Sequence, residues 1–189
     1  MILASRVNRL AGCGMIACLC VLLLSAGCAR TARVPDGAVT VIQVPFFAQE
    51  EFQCGPAALA TVIDYWHTKT GSGKNLTPEE IASDIYSPSA RGVLGMDMER
   101  YARKQGFRAE HVAGSIDKLK ENIDAGIPSI VLVDYGILVY QRNHFMVVKG
   151  YLSDGVLVNS GREEGKFIGN QELLSVWKKT AYWMLLVKP

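Results

Sequence analysis

The stretch EFQCGPAALATVIDYW, Glu51 to Trp66, joins a cysteine to a helix. Leu59, Val62, Ile63 and Trp66 recur at i, i+3, i+4 and i+7, the apolar face of an amphipathic helix expected to run to about Thr68. Pro56 suits the first turn, where its missing N–H costs nothing. Cys54 therefore sits where the helix begins, facing unpaired N–H groups and the positive end of the dipole. Both favour thiolate over thiol, so the position predicts a reactive cysteine of lowered pKa. The competing reading is a small buried hydrophobe, as most free cysteines are.

The other cysteines sharpen the choice. Arg6 and Arg9 precede an apolar run of 15 residues, Leu10 to Leu24, and then SAGCAR. This resembles a bacterial lipoprotein signal, in which the Gly27–Cys28 bond is cut and Cys28 is diacylated. An uncleaved membrane anchor is the alternative, and a plain secretory signal the third. Each implies export. The expected organisation is residues 1–27 as signal, 28–38 as a polar tether and 39–189 as one domain. Ala29 is not the Asp that retains enteric lipoproteins in the inner membrane, which favours an outer-membrane site. Cys13, Cys18 and Cys20 leave with the signal and Cys28 carries lipid. Cys54 is then the one free thiol of the mature protein, and an exported unpaired cysteine marks a reactive group.

The chain has 189 residues, 49% of them apolar, enough for one sizeable core. Its net charge of +2 comes from Arg6 and Arg9, and the charges downstream of Cys28 balance. No basic stripe supports nucleic-acid binding. No Cys-x-x-Cys or His-Glu-x-x-His spacing offers a metal site. The glycines of Gly71 to Asn75 (GSGKN) lack the Ser or Thr of a phosphate loop after Lys74 and follow a helix, so the segment reads as a surface loop, expected beside the cleft. No cofactor is expected.

Downstream of an extended segment, Val39 to Phe47, helices come first. Thr77-Pro78-Glu79-Glu80 forms a capping box for a helix ending near Tyr86. Further helices are expected over Met96 to Gln105, from a Ser115 cap to about Asp124, and from an Asn170 cap to Lys179. Strands are expected at Phe107 to Val112, Ser129 to Val133, Phe145 to Leu152, Val156 to Asn159 and Tyr182 to Val187, with Ser153-Asp154-Gly155 turning a hairpin. Helices followed by an antiparallel sheet make the class α+β.

A nucleophilic cysteine needs a base, a group that orients the base, and an oxyanion donor. His67 lies too far along the cysteine's own helix, and His111 reads as a surface residue. His144, at the mouth of a buried strand, is placed to be the base. Asn159, on the partner strand, is expected to fold back beside it and fix the ring. Gln49 is the candidate oxyanion donor with the Cys54 main-chain N–H, and Gln53 is the alternative. Taken singly, each has a plainer reading as a satisfied polar residue at a strand or helix end.

Together, VPFFAQEEFQCGPAAL, NHFMVV and VLVNSG resemble the papain-like double-glycine-leader peptidases, peptidase family C thirty-nine, in particular its stand-alone envelope members. The resemblance covers about Val39 to Val187. It implies a papain-like fold and a cysteine peptidase acting on a peptide or protein substrate. Cys54 would be the nucleophile, His144 the base, Asn159 the orienting residue and Gln49 the oxyanion residue. Many members carry Asp at the third position. Two alternatives stand beside this reading. One is an inactive papain-like module that binds peptides, and the other is a different acyl transfer such as a cell-wall amidase.

Overall fold

The computed structural model describes residues 34–41, 43–49 and 53–189. The signal-like segment and Cys28 lie outside them. Among the described residues, five α-helices and seven strands follow in the order β1 (Val39–Thr40), α1 (Cys54–Thr70), α2 (Pro78–Ile85), α3 (Gly95–Lys104), β2 (Arg108–Ala113), α4 (Ile116–Asp124), β3 (Ser129–Asp134), β4 (Asn143–Tyr151), β5 (Gly155–Ser160), β6 (Glu163–Gly169), α5 (Asn170–Trp177) and β7 (Trp183–Lys188). Every pairing is antiparallel. The strands run β2-β7-β3-β4-β5-β6, and β1 extends the sheet against the far end of β4. The α+β class expected from the sequence is the class observed.

The helix α1 departs from the expectation in one respect. It is not amphipathic, because every residue from Gly55 to Trp66 is buried. Its run of Ala57, Ala58, Leu59 and Ala60 favours helix and lets it lie at the centre, against β4 on one side and α2 and α3 on the other. Even Asp64 is buried, and its Oδ1 accepts from Leu76 N at 2.9 Å. The helix ends at Gly71, which adopts φ 65° and returns its N–H to His67 O. The Gly71–Asn75 loop therefore lies a helix length from Cys54, about 25 Å away. It does not line the site.

The Thr77 capping box forms as expected, with Glu80 N donating to Thr77 Oγ1 and Thr77 N to Glu80 Oε2. Ser115 caps α4 through Lys118 N. In the last helix Gly169, not Asn170, is the cap, and a 3-10 turn over Lys178–Thr180 follows Trp177. The strand β6 was not foreseen, since EEGKFIG shows no alternation.

Two features position the site. The first is the segment between β1 and α1. Only Val39 and Thr40 pair as a strand, after which Val41 N donates to Lys149 O (2.8 Å). Residues 43–49 then run toward the opposite end of the sheet as an irregular strap, consistent with Pro45. The second is the β4–β5 ladder. Its register shifts between Val148 and Gly150, leaving Lys149 as the extra residue of a bulge, and the last pair is Val147 with Asn159. Beyond that pair β5 leaves β4, whereas β3 stays paired with β4 as far as Asn143. The strands β4 and β5 thus part at one edge of the sheet and open a gap.

Candidate active site

Cys54 fills that gap. It begins α1 and is partly buried. The main-chain N–H of Phe145, on the side of β4 that β5 has left, donates toward its sulfur, as do the N–H groups of Gly55 and Cys54 itself. Close approach requires glycine at position 55, where a Cβ would overlap Val93 Cγ2 and crowd the Phe145 ring.

His144 precedes Phe145, so the sulfur and the imidazole share one short stretch of β4. The ring Nε2 lies 2.9 Å from Ser160 Oγ. Strand parity explains the partner. With Val147 opposite Asn159, the next residue of β5, Ser160, shares a face with Met146 and His144, and Asn159 takes the other face. The expectation for Asn159 is corrected accordingly. It is buried, donates Nδ2 to Pro45 O (3.1 Å) and accepts from Gly165 N (3.1 Å). Asn159 pins the strap; Ser160 holds the ring. No motif marks Ser160 in the sequence beyond its place next to Asn159.

Gln49 reaches the site at the end of the strap. Its main-chain N donates to Gly161 O (2.9 Å), and its Oε1 accepts from Gly161 N (3.0 Å). With the oxygen committed, the carboxamide NH2 is the part that can donate. Gln53 precedes the helix and makes no side-chain cap bond. The two remaining histidines lie elsewhere. The His67 ring packs beside Phe107, and exposed His111 pairs with Glu99 Oε2 at 2.6 Å.

The electrostatics oppose the expectation of a lowered thiol pKa. Burial pushes the Cys54 thiol above its ordinary value, outweighing the three N–H groups. His144 is pushed down to about 4, first by burial and then by the positive charges of Arg142 and Lys166. Both groups are therefore neutral at pH 7. Ser160 brings no negative charge to hold an imidazolium. Proton transfer from sulfur to ring requires the tautomer with hydrogen on Nε2, donated to Ser160 Oγ, which leaves Nδ1 free to accept. Iodoacetamide alkylation of Cys54 against pH should accordingly have its midpoint above 9.0, the ordinary cysteine value. A midpoint below that value would show a preformed ion pair.

Two cavities of about 440 and 530 Å³ lie elsewhere, one beside β1 and Tyr65, the other beside Phe107 and Leu186, and neither is lined by Cys54, His144 or Ser160.

Comparison with known proteins places the chain. No curated protein sequence matches it. Among solved structures it is similar in fold to a C39-like peptidase from Bacillus anthracis, with TM-score 0.65 and 17% identity over 82% of this chain and 98% of that one. It is similar to the peptidase domain of Streptococcus ComA, a bi-functional ABC transporter involved in a quorum sensing pathway, with TM-score 0.60 and 20% identity over 77% and 98%. A double glycine motif protease from an AMS/PCAT transporter, solved in complex with the leader peptide, gives TM-score 0.60 and 23% identity over 82% and 96%. The Peptidase C39 like family is matched over residues 41–182, three quarters of the sequence. A cysteine at the head of a central helix, a histidine on the facing strand and this family match lead to one conclusion: the chain belongs to the C39-like peptidase family and carries its papain-like fold.

Proposed function

We propose that the protein is a thiol peptidase of the bacterial envelope, anchored through Cys28. The observation that carries the catalytic reading is the placement of Cys54, at the head of α1, against Phe145, the residue next to His144, where β4 and β5 part. The Cys54 sulfur receives the Phe145 N–H, and His144 beside it is held through Nε2 by Ser160. Cys54 attacks the peptide carbonyl while His144 Nδ1 takes the thiol proton. The carbonyl π electrons move to oxygen, where the Cys54 N–H and the Gln49 NH2 can donate. The C–N bond then breaks, and His144 returns the proton to the leaving amine. Water, deprotonated by His144, cleaves the thioester, releasing the carboxylate and restoring the thiol. Ser160 replaces Asn159 as the residue that orients the base.

The anchoring half rests on the sequence around Cys28. An intact mass from membranes should show loss of Met1 to Gly27 and an acyl mass on Cys28. A species keeping that segment unacylated would refute it.

A second reading has its own observation. The neutral Cys54–His144 pair, with uncharged Ser160 beside it, also suits an inactive module that binds peptides. A peptide library incubated with the full chain in EDTA, without nucleotide, separates the two. Cleavage lost in Cys54→Ala supports the peptidase. No cleavage and no labelling of Cys54 by an acyl-type probe supports the module.

A further inference from the structure

The β3–β4 connection ends in four consecutive apolar side chains held out from the domain. Ile137 is 75% exposed, Leu138 98%, Val139 87% and Tyr140 80%. Single exposed apolar residues are ordinary, but a contiguous set marks a contact surface. This one is built rather than slack. Ile137 and Tyr140 close a turn, with Tyr140 N donating to Ile137 O at 3.1 Å. At its root Asp134 Oδ1 accepts from Gly136 N and Arg142 N, both at 2.7 Å, and Lys179 Nζ donates to Gly136 O. A Cβ at Gly136 would overlap Tyr140 O. At the tip Leu138 adopts φ 57°, a conformation that bulky residues avoid. Packing does not explain an aliphatic residue there, because the side chain touches almost nothing.

The finger is continuous with the site. Tyr140 lies four residues before His144, and the Tyr135 ring at its root is 6.2 Å from the imidazole. A second apolar rim lies on the cysteine's side. Val93, which covers Gly55, is followed by Leu94 (49% exposed) and then, across Gly95, by Met96 (58%). Cys54 lies between the two rims, so both are placed to contact the side chains that flank a reacting bond.

Resting on the peptidase reading, we propose that the Ile137–Tyr140 finger and the Leu94–Met96 rim form the substrate-recognition surface. The substrate is an extended peptide with large aliphatic or aromatic side chains on both sides of the reacting bond. A bilayer is the less favoured occupant, because the chain enters the domain at β1, the end of β4 remote from the finger.

The test reads binding to the full chain with Cys54→Ala, which does not depend on turnover. Two fluorescein-labelled peptides are compared by anisotropy. One carries Leu and Phe on both sides of a Gly-Gly centre, and the other replaces Leu and Phe with Ser. The apolar peptide should bind about tenfold tighter or more. Leu138→Asp with Val139→Asp should remove that advantage. Leu138→Gly provides the control for folding, since glycine suits φ 57° better than leucine does, and it should weaken the apolar peptide alone. Equal binding of both peptides, or no change in Leu138→Gly, overturns the proposal. So does quenching of a Leu138→Trp emission by brominated phosphatidylglycerol vesicles with indifference to the peptides, which would assign the finger to a bilayer. Apolar binding without any cleavage by the parent chain would refute the peptidase reading and leave the surface standing. Cleavage that ignores the flanking residues would do the reverse.

Discussion

Replacing His144 with alanine should lower kcat/KM for a cleaved peptide by about ten-thousand- to a million-fold, the range seen when the base of a catalytic triad is removed. The loss is large because His144 is the group proposed to take the proton of the neutral, partly buried thiol at the head of α1. Asn159→Ala should behave differently. It leaves Pro45 O and Gly165 N without partners in a part-buried region, at a total cost of about 1–3 kcal/mol in stability. The pH profile of turnover should stay where it was, because Asn159 does not touch the imidazole. Thermal unfolding and a pH–rate profile of both variants check this. A shifted profile in Asn159→Ala, with unchanged stability, would return Asn159 to the role first expected of it.

Ser160→Asp should gain reactivity. A carboxylate at Ser160 Oγ would lie within hydrogen-bond reach of Nε2 and raise the imidazolium's pKa by about 1–3 units, the usual effect of a close opposite charge. Arg142 and Lys166, which now press His144 toward neutrality, would stabilise the new carboxylate. The charged ring would in turn favour the thiolate. A lower thiol pKa also weakens the nucleophile, with a Brønsted slope of about 0.4–0.5. The net gain in iodoacetamide alkylation at pH 7 should be about three- to fortyfold. The alkylation midpoint should move down in pH by the same cause. An unchanged rate would mean that position 160 does not communicate with the thiol through His144.

The sequence reading succeeded where chemistry is local. The Thr77 capping box, the Ser115 cap and the helix opening at Cys54 depend on residues within one turn of each other. The positions of Cys54 at a helix start and His144 at a strand mouth were legible because such features survive inexact boundaries. Ser160 was not legible. Asn159 and Ser160 are neighbours, and which of them faces His144 is set by the register of β4 against β5, a property of two strands together. The thiol's pKa was misjudged for a similar reason. The helix terminus is visible in the sequence, whereas the burial that outweighs it is a property of the folded chain. The amphipathic reading of α1 failed because Ala and Thr on the second face tolerate burial as readily as exposure.

The strap of residues 43–49 has a mechanical meaning. It leaves β4 after two paired residues and Val41, is held midway by Asn159 on Pro45 O, and ends in the two hydrogen bonds between Gln49 and Gly161. Tension on the chain upstream of Val34 would load these attachments in series. The short β1 ladder, drawn from its end, yields one pair at a time, the Asn159 bond comes next, and Gln49 bears the load last. The strap is thus a force path from the domain's entry point to Gly161, the residue after the one that holds the His144 ring, so a pull on the chain before Val34 would reach Gln49 only after β1 and the Asn159 bond had yielded.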